Sequence, residues 1–216
     1  MKINTDGVLI AAMVQFDNPG NILDIGTGTG VMSLMLAQRF TEAQVHALEI
    51  DEQAALTARK NFNHSRFSDR LTCTHVSIED FETSDKFDLI VSNPPFFIND
   101  LKNEEQRKGI ARHASVDFFE ALVRQSAFCL NPKGKMCFVL PVKQASLVED
   151  LAKKHGLKVC ERINLHSDET KETFRVIICL AFEAENFSTS EFYIYKGLNE
   201  HTNEYKDLLK PFFLAF

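Results

Sequence analysis

Residues 21–37 constrain the fold more than any other stretch of the chain. Asn21-Ile22-Leu23-Asp24-Ile25 is a short apolar run, and Gly26-Thr27-Gly28-Thr29-Gly30 follows it. Val31-Met32-Ser33-Leu34-Met35-Leu36-Ala37 then has helical character. A strand that turns through glycines into a helix is the opening unit of a doubly wound α/β sheet. Glycines at 26, 28 and 30 let the backbone approach a ligand closely and take φ values closed to other residues. Their spacing departs from the dinucleotide fingerprint, which places its third glycine one residue later. Asp24 also fits a different ligand. A carboxylate ahead of the first glycine is out of place beside a pyrophosphate but can accept hydrogen bonds from an ammonium group.

S-adenosylmethionine carries such an ammonium and no phosphate. Downstream, Gln44-Val45-His46-Ala47-Leu48 reads as a second strand ending at Glu49. An acidic residue at the end of that strand is where a ribose diol is gripped; the competing reading is a solvated strand end. Ile50 can pack on an adenine ring, and Asp51 reads as the N-cap of a helix from Glu52 to Asn61.

A third element follows the strand-like run Phe87-Asp88-Leu89-Ile90-Val91-Ser92, where Asn93-Pro94-Pro95-Phe96 suits the methylation of a planar, conjugated amine. Such a nitrogen shares its lone pair with the attached ring or carbonyl and is a poor nucleophile. The Asn93 side-chain oxygen and a backbone carbonyl of the proline pair can each accept one amine hydrogen. That pulls the nitrogen toward tetrahedral geometry and localises its lone pair. Proline has a fixed φ and no N–H, so the pair holds the carbonyl rigidly without a competing donor. Phe96 offers an aromatic face for a flat target. A plain strand-ending turn is the alternative for this tetrapeptide.

Strand and helix signals alternate along the chain, as a doubly wound sheet requires. Strands are expected near 21–25, 44–49, 70–76, 86–92, 135–140, 157–165 and 174–182, and helices near 5–16, 29–39, 52–62, 116–129 and 143–155. Asn131-Pro132-Lys133-Gly134 reads as a turn into the fifth strand, and the tail from Glu191 as a docked strand plus a short helix. Asp24, Glu49, Ser77 and Asn93 all fall at expected strand ends, the edge where ligands of such sheets bind. All 216 residues fit one α/β domain, 1–216, with a substantial core.

No apolar run is long enough to cross a bilayer, and Val8 to Val14 reads as a core helix rather than a secretory signal. The five cysteines, Cys73, Cys129, Cys137, Cys160 and Cys179, show no paired spacing. They read as reduced core thiols of a cytoplasmic protein, with neither a metal site nor a disulfide framework. His155, His166 and His201 show no convergent arrangement and read as surface or capping residues. A net charge of −6 runs against nucleic-acid binding, which relies on basic surface. Locally, however, Lys102, Arg107, Lys108, Arg112 and His113 follow the Asn-Pro-Pro-Phe segment and can serve substrate phosphates. Glu104 and Glu105 dilute that charge, and an ordinary solvated segment is the competing reading.

Taken together, the glycine turn, Glu49 and the Asn93–Phe96 signature resemble class I S-adenosylmethionine-dependent methyltransferases that act on amino groups. Asn4-Thr5-Asp6-Gly7-Val8-Leu9, Ala111-Arg112-His113 and Ile194-Tyr195 sharpen the likeness to the bacterial family that N6-methylates adenine 37 in the anticodon loop of valine tRNA. The resemblance implies a Rossmann-like, seven-stranded, mostly parallel sheet with an antiparallel terminal hairpin and helices on both faces. It implies a cofactor site at Asp24, Gly26, Thr27, Gly28, Gly30, Glu49, Ile50, Ser77, Ile78 and Asn93. Asn93, Pro94, Pro95 and Phe96 would be catalytic, and Phe96, Phe97 and the basic residues from Lys102 to His113 would hold tRNA. A monomer that needs no metal and no membrane is the implied form. Members of that family usually carry about twenty further residues ahead of the Asn-Thr-Asp-Gly segment, which this sequence does not include. Many relatives also have Asp where this chain has Ser77, so the hold on the cofactor adenine amine falls to the serine hydroxyl or to backbone.

Other readings of the signature stay open at this level. It also resembles enzymes that methylate a glutamine amide in release factors, which more often carry Tyr in place of Phe96. Guanine N2-methyltransferases of ribosomal RNA and adenine-specific DNA methyltransferases share it, although a DNA enzyme needs a target-recognition segment that this chain has little room for. The glycine spacing and Asp24 disfavour a nicotinamide-dependent oxidoreductase. A non-enzymatic RNA-binding module with a vestigial cofactor pocket is the remaining alternative.

Overall fold

The computed structural model describes residues 4–95, 104–184, 186–198 and 200–214, and of residues 104–115 the backbone alone. Five strands run parallel in the order β3-β2-β1-β4-β5: β1 (Asn21–Ile25), β2 (Gln44–Glu49), β3 (Leu71–His75), β4 (Phe87–Ser92) and β5 (Leu130–Leu140). The central strands β1 and β4 are buried almost throughout, because helices cover both faces of the sheet. Alternate strand residues feed two cores. On one face Ile22, Val45 and Leu89 pack with α1 (Thr5–Met13), α2 (Val31–Arg39) and α3 (Glu52–Asn63). On the other, Leu23, Leu48 and Ile90 pack with α4 (Glu104–Cys129) and α5 (Val142–Lys154).

β6 (Lys158–His166) and β7 (Arg175–Ala181) form the expected antiparallel hairpin, with β7 inserted between β5 and β6. Among the described residues the sheet has eight strands rather than seven. β8 (Ser188–Tyr193) lies parallel to β6 at the far edge. Its first four residues are exposed, so it lacks the apolar alternation by which a strand is recognised in sequence. A small pair, β9 (Tyr195–Gly197) and β10 (Glu200–His201), and α6 (Asn203–Leu209) complete the tail. Three further boundaries differ from expectation. α1 ends at Met13 rather than at residue 16. α4 starts at Glu104 rather than 116. Asn131-Pro132-Lys133-Gly134 lies within β5, where the register slips from Phe87↔Leu130 to Leu89↔Lys135 and absorbs the extra residues as a bulge.

Cys137 and Cys179 stand directly opposite on β5 and β7, and their sulfurs are joined as a disulfide. The sequence reading expects five reduced thiols; a separation of 42 residues conceals a pair that only the antiparallel register creates. Cys73, Cys129 and Cys160 are free thiols.

α1 shapes the site most directly. Every residue from Asp6 to Ala12 is buried, as expected for a short helix that is apolar on all sides. Asn4 caps it by accepting a hydrogen bond from the Asp6 N–H at 3.0 Å. Asp6 in turn accepts one from Arg175 Nε at 2.8 Å, tying the helix to the start of β7. Among the described residues no helix is long and apolar enough to cross a membrane, and no cluster of three or more His, Cys, Asp or Glu side chains is placed to hold a metal.

Candidate active site

Parallel pairing sets Ile25 opposite both Leu48 and Ser92, so β1, β2 and β4 finish at one edge of the sheet. Asp24, Glu49 and Asn93 are thereby brought together from three separate segments. Two adjoining hollows open there, of about 160 and 450 Å3, together within the usual size of a small-ligand site. Gly26, Ile50 and Pro95 border both.

Asp24 is fully buried. Its Oδ2 accepts hydrogen bonds from Thr27 Oγ1 at 2.7 Å and Ser33 Oγ at 2.6 Å, while Oδ1 is buried with no partner among the described residues. Burial pushes the Asp24 carboxyl up from 3.8 to about 6; the two hydroxyls pull the other way, and the Glu49 charge adds to the rise. A buried oxygen without a donor is costly, and a cationic ligand group would satisfy it. Thr27, expected among the cofactor residues, braces Asp24 with its side chain. Ser33 was missed. It lies on the first turn of α2, and nothing in its sequence neighbourhood marks it as turned back toward β1.

Glu49 Oε2 accepts a hydrogen bond from Gly28 N at 2.7 Å and Oε1 one from Asp51 N at 2.9 Å. The carboxylate thus locks the glycine turn to the end of β2, and each oxygen keeps a second acceptor site. Asp51 caps α3 as expected, accepting from Ala54 N at 2.8 Å. The turn itself is tight: Gly30 has φ +89°, and a Cβ there would stand 2.4 Å from Phe62 Cε1. At Gly26, φ +75°, a Cβ would meet nothing within 4 Å, because that backbone faces the hollow. The fit to a nucleoside that carries an amino acid on a sulfonium rests on these features: an unpartnered buried carboxylate oxygen, an acidic residue at the second strand end, and open glycine backbone between them.

The smaller hollow is mostly apolar. Ile50, which is 70% exposed, lines it together with Val76, Ile78, Pro94 and Phe118. Ser77 also borders it, but its hydroxyl donates to Asp80 Oδ2 at 2.7 Å and accepts from Asp80 N at 3.1 Å. That hydroxyl serves the loop, so a hold on an adenine amine falls to backbone or to Ser77's second acceptor site. Val76 and Phe118 were not singled out in sequence; both are apolar residues whose place at the edge depends on packing.

Asn93 faces the larger hollow, and its Oδ1 is buried without a partner among the described residues. Ser92 Oγ donates to the Ile25 carbonyl at 2.7 Å, fastening the signature to the end of β1. Gly7 makes room on the other side. A Cβ at that position would lie 3.5 Å from Asn93 Nδ2 and 3.3 Å from Met32 Sδ. Pro94 lines the apolar hollow, and Pro95 borders both. Phe96, Phe97 and Lys102 lie outside the described residues, as do the side chains of Arg107, Lys108, Arg112 and His113.

The three histidines make separate contacts. His155 is indeed the C-cap of α5. His166 ends β6 in a hydrogen bond with Glu191 and stacks on Tyr193, while His201 stacks between Tyr195 and Tyr205.

The eight-stranded sheet with this cleft is the fold of class I methyltransferases. A predicted O-methyltransferase of Agrobacterium tumefaciens superimposes with a TM-score of 0.75 at 17% identity, covering 95% of this chain and 96% of that one. A glycopeptide N-methyltransferase solved with S-adenosylmethionine gives a TM-score of 0.59 at 14% identity, covering 82% and 92%. Residues 4–160 match the model of the methyltransferase small domain, and the chain belongs to that family. A protein of Pedobacter heparinus named tRNA1(Val) (adenine(37)-N6)-methyltransferase is 52% identical over 216 residues, the whole of this chain and 92% of its own length. One of the same name from Bacteroides thetaiotaomicron is 35% identical over 99% of this chain and 91% of its own. The protein is an S-adenosylmethionine-dependent methyltransferase.

Proposed function

We propose that the protein methylates N6 of adenine 37 in the anticodon loop of valine tRNA, the activity in the names of its full-length relatives. The observation that carries this reading is the Asn93 side-chain oxygen, buried and unpartnered among the described residues beside two prolines. An acceptor so placed suits a donor with two hydrogens on a flat nitrogen. S-adenosylmethionine supplies an electrophilic sulfonium methyl. Asp24 would hold its ammonium, Glu49 its ribose hydroxyls, and Ile50, Ile78 and the backbone at Ser77 its adenine, with Gly26 to Gly30 lying beneath.

Asn93 accepts one N6 hydrogen and a carbonyl of Pro94 or Pro95 the other, which localises the lone pair on the nitrogen. The target base stacks on Phe96, helped by Phe97. An anticodon-loop base is already unpaired, so its extrusion costs less than from a duplex. The chain's main contribution is positioning and exclusion of water from the reacting pair. No general base is needed, because the methylated ammonium is acidic and releases its proton readily. Lys102, Arg107, Lys108, Arg112 and His113 contact the loop phosphates, and the enzyme acts as a monomeric single domain in the cytoplasm.

The test is incubation with methyl-labelled S-adenosylmethionine and unmodified valine tRNA, followed by nucleoside analysis. Label in N6-methyladenosine is expected, and it disappears when position 37 is guanosine. Label in protein glutamine or in ribosomal guanine overturns the reading in favour of the corresponding alternative.

A further inference from the structure

A further hollow, of about 420 Å3, opens on the other side of the α1 N-terminus. Asn4 borders both this hollow and the larger one that Asn93 faces. The sheet topology accounts for the proximity. β6 and β8 run parallel to each other and β7 opposite to them, so His166, Arg175 and Tyr193 all lie at the edge where β1, β2 and β4 end. Its walls combine the rings of Phe174, Tyr195 and Tyr205 and the side chain of Ile194 with polar residues, Asp6 and Arg175 among them.

These rings are set in place by backbone. Phe174 N donates to the Leu165 carbonyl at 3.0 Å and Tyr195 N to the Ser167 carbonyl at 2.8 Å. Thr202 Oγ1 donates to the Tyr193 carbonyl at 2.7 Å, bringing the β10 turn back so that His201 stacks on Tyr195 at 4.8 Å and on Tyr205 at 4.5 Å between centroids. Phe174 is 36% exposed, although the strand behind it is buried. Its ring lies 5.6 Å from the Arg175 guanidinium carbon, itself held by Asp6. Rigid aromatic faces next to a planar guanidinium are what single-stranded nucleic acid uses for base stacking.

We propose that this hollow is a second nucleotide subsite. It holds an unpaired nucleotide next to the adenine being methylated, its base stacked on Phe174 against the wall formed by Tyr195. The proposal rests on the RNA reading above, and continuity through Asn4 is what links the two positions. Asp168 and Glu169 border the neighbouring hollow shared with Tyr195, so the attraction here comes from stacking rather than from phosphate charge.

The test uses unmodified valine tRNA with the wild-type protein, Phe174→Ala and Phe174→Tyr. Phe174→Ala is expected to raise KM for the RNA about tenfold, with kcat and KM for S-adenosylmethionine unchanged, and Phe174→Tyr to restore it. The increase should be the same at low and moderate salt, because stacking releases few counterions whereas a phosphate contact does. In parallel, 2-aminopurine placed next to the target adenine should be quenched on binding to the wild-type protein and less so with Phe174→Ala. An unchanged KM, a fall in kcat instead, or an unquenched probe with wild-type enzyme overturns the subsite while leaving the methylation reading intact. A wild-type protein that leaves the valine tRNA unmethylated overturns that reading itself.

Discussion

The hollows on either side of the α1 N-terminus are built by different means. On the cleft side, Asp24 is held by Thr27 and Ser33, three and nine residues away, and Glu49 holds Gly28 across 21 residues. On the rim side, the corresponding fastening is Asp6 to Arg175, across 169 residues. The first arrangement belongs to one strand–turn–helix–strand unit and forms whenever that unit does. The second exists only after β7 has been inserted into the sheet. Cofactor grip and rim geometry are therefore separable, and substitutions can be chosen to disturb one without the other.

The largest effect should come from Asn93→Ala, at the junction. By analogy with removing one polar group aimed at a reacting centre, kcat should drop about 100- to 1,000-fold, with cofactor affinity within about twofold in calorimetry. Normal turnover would remove the signature from the chemistry. Next, Gly30→Ala attacks the cleft side through a left-handed φ and a collision with Phe62. A destabilisation of about 2–4 kcal/mol is expected from the combined backbone strain and overpacking, read by denaturant unfolding. Adding Phe62→Leu should recover the steric part and leave the φ penalty.

Asp24 sharpens the same half through pH. Its carboxyl, raised from 3.8 to about 6, is more readily protonated in the unliganded fold than in the unfolded chain. The stability it contributes is present below 3.8 and lost as pH rises through about 6, so its ionised form costs the unliganded fold about 3 kcal/mol at about 1.4 kcal/mol per pH unit. A cationic cofactor group requires the ionised form, so affinity should fall about tenfold per pH unit below about 6 and be flat above it. Calorimetry should show this slope in the wild type and none in Asp24→Asn. The smallest effect is expected on the rim. Arg175→Met should cost about 1–3 kcal/mol, because the mostly buried Asp6 carboxylate loses its Arg175 partner, while cofactor affinity stays unchanged. A matching loss of cofactor binding would show the two halves to be coupled.

The Asn93 and Asp24 placements were legible because short-range spacing carries them. A strand end followed by glycines, or by Asn-Pro-Pro, puts its next side chain at the carboxyl edge whatever surrounds it. Gly7 beside Asn93 and Ser92 on the Ile25 carbonyl were not legible, since each depends on an element far away in the chain. β8 is legible only in part: a docked strand is expected from Glu191, whereas the exposed residues ahead of it show no apolar period. Ser77 was singled out as a stand-in for a missing carboxylate, yet its hydroxyl proves to be engaged by Asp80.

From residues alone, the chain's alternation of apolar runs, its glycine turn and its acidic strand end determine a parallel α/β sheet with a nucleoside-sized cleft, because local backbone preference and side-chain period act over a few residues at a time. Tertiary structure alone decided that Cys137 meets Cys179, that Arg175 reaches Asp6, and that Phe174 and the Tyr195–His201–Tyr205 stack stand one helix terminus away from Asn93. Those contacts follow from strand register, which is set only when the whole sheet buries its two cores.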